Sequence, residues 1–208
     1  MTTLAAVVSR SCCFTALVFA VLFAVVASAP AATQPATDPA EDARHAAALR
    51  KIAGDRIDAN TRYENGKIRC RHVDDKDCIH KLEVQNDVDL RQIVIEGYQE
   101  DGTHTKNQID FNRRQQAPKF SGAQAAENLR HYNAETDLQK RAVDADVQYK
   151  IDKIKCDVYD LHDQAVACRK QAALAYADNL DQITIARNNE NALHTKNLMN
   201  VNAGAPSK

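Results

Sequence analysis

Large apolar side chains are scarce in this chain. From Pro30 onward, Leu, Ile, Val and Phe make up 32 of 179 residues, below the roughly one-fifth at which a chain readily closes a core of its own. That excludes a large single-core globule. Charge of one sign is equally lacking: the same stretch has 26 Lys and Arg against 28 Asp and Glu. No polybasic bias towards nucleic acid or an anionic membrane exists, and the high net charge of a disordered chain is missing too. Proline occurs only at positions 30, 35, 39, 118 and 206, which leaves two long proline-free blocks, each long enough for a pair of helices. There is no Gly-rich phosphate loop, no Gly-x-Ser-x-Gly, no His-Glu-x-x-His and no EF-hand loop. What remains is an all-α protein with a thin, Ala-rich core that depends on cross-links or partners.

The first residues carry one Arg, an apolar run over 12–27 and then small residues ending in Ala29-Pro30-Ala31. This is the layout of a secretory signal peptide over 1–31, and it implies a periplasmic or secreted protein with no membrane attachment after cleavage. An uncleaved anchor is the alternative, because the run is near the lower limit for spanning a bilayer. Cys12 and Cys13 leave with the signal. Residues 32–38 read as a flexible Pro/Ala/Thr linker.

The rest reads as one helical hairpin written twice, over 39–114 and 122–200, with a linker at 115–121 and a disordered tail at 201–208. At an offset of 86, Asp58, Ala59, Tyr63, Lys67, Ile68 and Cys70 match Asp144, Ala145, Tyr149, Lys153, Ile154 and Cys156. Beyond the second cysteine of each block the offset is 90: Leu90, Gln92, Ile93, Ile95 and Glu100 match Leu180, Gln182, Ile183, Ile185 and Glu190. So many identities in register point to internal duplication. The offset changes because seven residues separate Cys70 from Cys78 and eleven separate Cys156 from Cys168; the extra four are about one helical turn at the hairpin tip.

Asp38-Pro39-Ala40-Glu41 and Ser121-Gly122-Ala123-Gln124 have the spacing of capping boxes and predict the two helix starts. In each first arm, Ala, Tyr and Cys at steps of four and seven fall on one stripe, expected to be the seam between paired helices. The clusters Ile93-Val94-Ile95 and Ile183-Thr184-Ile185 leave short strands open as an alternative, although length and alanine content favour helix.

In an exported chain Cys70, Cys78, Cys156 and Cys168 are expected to be oxidised. Local pairing, Cys70 with Cys78 and Cys156 with Cys168, is preferred because an ancestral single hairpin had only its own two cysteines. Spacings of seven and eleven do not make a redox Cys-x-x-Cys motif. A zinc site at Cys70, His72, Cys78 and His80 is the alternative, but Val158 and Lys170 stand at the histidine positions of the other copy. No cofactor is expected.

One polar motif is repeated whole: His104-Thr105-Lys106-Asn107 recurs as His194-Thr195-Lys196-Asn197. The two histidines are expected to act structurally, capping the end of the second arm where the helix dipole favours a cation; contact with a partner is the next reading. A catalytic role would need an orienting carboxylate that sequence does not place.

The run from Tyr149 to Cys156, eleven residues, then Cys168-Arg169-Lys170-Gln171-Ala172 resembles an element of small exported Ala- and Lys-rich helical proteobacterial proteins of unassigned function. The resemblance covers about thirty residues of the second copy and the first more loosely, and it implies an envelope protein with a stapled hairpin and no mapped catalytic residues. The Leu-Thr-x-x-Gln signature of the periplasmic helical stress chaperones is absent. The expectation is therefore a non-enzymatic envelope protein, two tandem disulfide-stapled hairpins in a four-helix or elongated arrangement. It would serve as an interaction, structural or stress-related module for a protein or envelope component, with homo-oligomers allowed. A Cys/His metal-binding protein and, more remotely, a hydrolytic enzyme are the alternatives.

Overall fold

The structure, a computed structural model, describes residues 37–72, 76–158 and 161–203. The expected signal peptide, most of the first linker and the last five residues lie outside that range. Four long helices make up the rest: α1 (Pro39–His72), α2 (Lys76–Gln116), α3 (Ala125–Cys156) and α4 (His162–Ala203), with a short 3-10 turn at Ala117–Lys119 between α2 and α3. The tail is thus helical as far as Ala203. No strand occurs among the described residues, and both β-branched isoleucine clusters lie within helices. Tertiary packing overrides their weak β preference, because Ile93 and Ile183 supply core contacts from a helical face and are 9% and 5% exposed.

Extensive packing joins only helices adjacent in sequence: α1 with α2, α2 with α3, and α3 with α4. Each hairpin is closed near its tip by a disulfide, Cys70–Cys78 with Cα atoms 5.6 Å apart and Cys156–Cys168 at 5.5 Å, the local pairing expected from the sequence. All four cysteines lie within helices. Ala59 and Cys70 of the predicted stripe are buried, as is Cys156, while Tyr63 and Tyr149 are half-buried. Tyr149 stacks on Tyr176 of α4 at 4.8 Å between ring centroids. The core is as thin as the composition demands, with Ala165 and Ala172 taking buried positions beside a few isoleucines.

The helix starts differ from the capping boxes read in the sequence. Asp38 does cap α1, its carboxylate accepting from the Ala40 amide at 3.0 Å and the Glu41 amide at 3.4 Å. Glu41 does not reach back, however; the Asp38 amide donates to Gln108 Oε1 of α2 at 2.9 Å instead. At the second start Ser121 is no cap at all. Gly122 takes φ +84°, and α3 begins only at Ala125, after Gln124, which makes no side-chain cap bond. The Gln124 side-chain Nε2 donates to Asn202 Oδ1 at the end of α4 at 2.8 Å. A long-range partner has displaced the local bond in both cases.

Candidate functional site

Glu41, Arg44 and His45 lie three and four residues apart near the start of α1, so they share one helical face. Glu100, His104 and Asn107 form the matching face of α2. Where these faces meet, Arg44 forks between both carboxylates: Nε and Nη2 donate to Glu41 at 2.9 and 2.6 Å, and Nη1 donates to Glu100 at 3.1 Å. The imidazoles cross over between helices. His45 Nδ1 donates to Glu100 at 3.0 Å and His104 Nδ1 to Glu41 at 3.3 Å, an ionised carboxylate being an acceptor only. The two rings stack 4.1 Å apart, tilted by 11°. Asn107 adds a further bond to Glu41.

The second hairpin builds the same object. Arg130 donates to Glu127 at 2.9 and 2.7 Å and to Glu190 at 2.9 and 2.7 Å. His131 Nδ1 donates to Glu190 and His194 Nδ1 to Glu127, both at 3.0 Å, and Asn197 donates to Glu127 at 3.1 Å. Here the rings stack at 4.0 Å and 9°. The copies differ at the rim. In the first, Asp101 lies 3.6 Å from His45 Nε2 and Asp42 lies 3.6 Å from His104 Nε2; Asn191 and Asn128 occupy the corresponding positions in the second.

Bidentate guanidinium bonds are strong because both partners are charged and their forks match. Accordingly, Arg44 holds the Glu41 carboxyl down to about 2, with Asn107 and His104 adding to the effect. Arg130 does the same for Glu127, also to about 2. Glu100 and Glu190 are lowered as well, by Arg44 and Arg130 first and by His45 and His131 next. Two carboxylates face one guanidinium in each cluster, and the imidazole Nδ1–H groups supply further donors to them.

The repeated tetrapeptide now divides by role. His104 and Asn107, like His194 and Asn197, belong to the clusters. They lie inside α2 and α4 rather than at the helix ends, so the capping role read from the sequence is wrong: twelve residues of α2 follow His104. The threonines face away, each hydroxyl donating to the carbonyl one turn back, Asp101 for Thr105 and Asn191 for Thr195, at 2.9 Å. Neither is lined up as a nucleophile for the imidazoles. Lys106 reaches Asp144 of α3 at 2.6 Å.

As cluster members Glu41, Arg44 and His45 and their counterparts Glu127, Arg130 and His131 went unread in the sequence, where Glu41 figured only as a capping residue. The signal was present as Glu-x-x-Arg-His recurring at the offset of 86, just upstream of the aligned segments. The alternative zinc set fails because Cys70 and Cys78 are joined to each other and offer no thiolate; the His72 side chain lies outside the described ones, and His80 is exposed. Among the described residues no group of three or more His, Cys, Asp or Glu side chains is arranged to hold a metal ion. None of their helices is long and apolar enough to cross a membrane. The chain matches no known protein family, and no curated protein or solved structure is significantly similar to it.

Proposed function

We propose that this chain is a non-enzymatic, exported helical-hairpin module that acts by presenting helix faces to a protein or envelope component. The observation that carries this reading is the self-sufficiency of the two clusters. Every glutamate, arginine and Nδ1 atom in them is bonded to another member of the same cluster, so each acts as a polar clasp at the end of the hairpin opposite its disulfide. A general base also needs a nucleophile within hydrogen-bond reach, and the neighbouring Thr105 and Thr195 hydroxyls donate to backbone carbonyls one turn back instead.

Location in an oxidising compartment supports the same reading. Two disulfides in a chain of this size belong outside the reducing cytosol, and the apolar N-terminal run supplies a route of export. The resemblance to small exported helical proteins agrees with it.

The test combines processing, redox state and chemistry. The chain isolated from an exported fraction is expected to start at Ala32, to show no free thiol and to turn over no ester, peptide or glycoside model substrate. Turnover that His104→Ala and His194→Ala abolish would overturn the reading in favour of an enzyme.

A further inference from the structure

The seam between α2 and α3 joins one hairpin to the other, and its parts recur on the outer faces of α1 and α4. At the seam the helices run antiparallel. Gly102 approaches Val147 so closely that an added Cβ would lie 2.5 Å from its Cγ2. Lys106 pairs with Asp144 at 2.6 Å, Lys140 with Asp110 at 3.2 Å, and the Lys150 ammonium lies 5.5 Å from the Tyr98 ring centroid.

Moving the α2 side of this seam forward by 90 lands on α4, and moving the α3 side back by 86 lands on α1. Two identities survive the transfer. Lys106 becomes Lys196, and Asp144 becomes Asp58. The ion pair that links hairpin to hairpin is thus encoded twice but closed only once within the chain; Lys196 and Asp58 are exposed and have no ion-pair partner among the described residues. The apolar parts behave alike. Ile95 and Ile154, level with each other in the register set by Lys106 and Asp144, are half-covered. Their identical counterparts Ile185 and Ile68 are 59% and 53% exposed, and Ile57, which stands where Val143 does, is 65% exposed.

We propose that the α4 face of one molecule docks antiparallel on the α1 face of a second copy. Lys196 pairs with the partner's Asp58 and Ile185 lies level with the partner's Ile68, so the α2–α3 seam is repeated between molecules. In the transferred register Lys51 falls opposite Ala203, Glu64 opposite Glu190 and Lys67 opposite Arg187; Glu190 is held by Arg130 and His131 and Arg187 by Glu135 of their own hairpin, so neither charge is directed across the contact. Ala192 replaces Gly102, so its methyl sets the helices about 1 Å farther apart, within the 8–10 Å spread of helix packing. Such a contact uses different faces on the two molecules, so it propagates into a ring or an open array, as stacked repeats do.

This inference deepens the interaction-module reading by naming the partner as a second copy. The test is sedimentation velocity of the full chain, as isolated, from micromolar to sub-millimolar concentration, with carbodiimide cross-linking of mixed light- and heavy-isotope copies. Mass should rise with concentration, and a Lys196–Asp58 link should join light to heavy chains. Lys196→Glu and Asp58→Lys should each weaken association about tenfold, and the double variant should restore it. Both positions are solvent-exposed, and circular dichroism checks that the variants stay folded. A monomer at every concentration, or self-association that spares Lys196 and Asp58, would overturn the inference. A strict monomer that still engages an envelope protein would overturn it and leave the module reading standing, whereas hydrolytic turnover would sink that reading by itself.

Discussion

At the scale of single residues, the clasp carboxylates set the response to acid. A carboxyl whose folded-state pKa lies below its unfolded value stabilises the fold above the unfolded value, and that contribution is lost as pH falls towards the folded one. Glu41 and Glu127 drop from 4.5 to about 2 on folding, so the melting temperature should hold above about pH 4.5 and fall steadily between there and about 2. Thermal melts followed by circular dichroism check this. In Glu41→Gln/Glu127→Gln the fall should flatten and the melting temperature at neutral pH should drop. Two glycines give a second contrast. Gly97 has open space where a Cβ would go, whereas at Gly102 the added carbon meets the stiff side chain of Val147. Gly97→Ala should therefore stabilise by about 0.5–1 kcal/mol through helix propensity. Gly102→Ala should cost about 1–3 kcal/mol through overpacking. Urea titration distinguishes the two.

At the scale of the element, each hairpin is held at both ends, by a disulfide near the tip and a clasp at the base, with few buried side chains between. A bond closing so short a loop stabilises by about 2 to 3 kcal/mol in the chain-entropy account. Cys70→Ser/Cys78→Ser and Cys156→Ser/Cys168→Ser should each lose about that much in denaturant titration. Adding a reductant to the unaltered chain should reproduce the combined loss. The helical nature of the arms was legible from proline-free length and alanine content, the seam residues Ala59 and Cys70 from steps of four and seven on a helix, and the local cysteine pairing from the repeat, since a single ancestral hairpin has only its own two cysteines. The capping partners were not. Asp38 and Gln108 are 70 residues apart, and no local pattern tells an amide which distant acceptor will reach it.

At the scale of the whole molecule, the helices form a chain of neighbours rather than a closed bundle, so the outer faces of α1 and α4 keep apolar and charged groups that the inner helices cover. Hydrogen exchange should reflect this: amides of α2 and α3, packed on two sides, should exchange more slowly than those of α1 and α4 in dilute protein. Raising the protein concentration should slow exchange on the outer helices around Asp58 and Lys196, where the inferred contact between copies forms.

The sequence by itself determined the helical class, the two hairpins and their offsets and favoured the local cross-links, because proline placement, residue spacing and the repeat can be read along the chain without knowledge of the fold. It also displayed the repeated tetrapeptide without disclosing its use. Only the tertiary structure brought Glu41, Arg44 and His45 against Glu100 and His104, and so divided the tetrapeptide into clasp residues, an idle threonine and a lysine directed at the next hairpin. The physical reason is distance along the chain: a side chain's chemistry is set by what lies within a few ångströms, and here those partners come from segments 38 to 70 residues away.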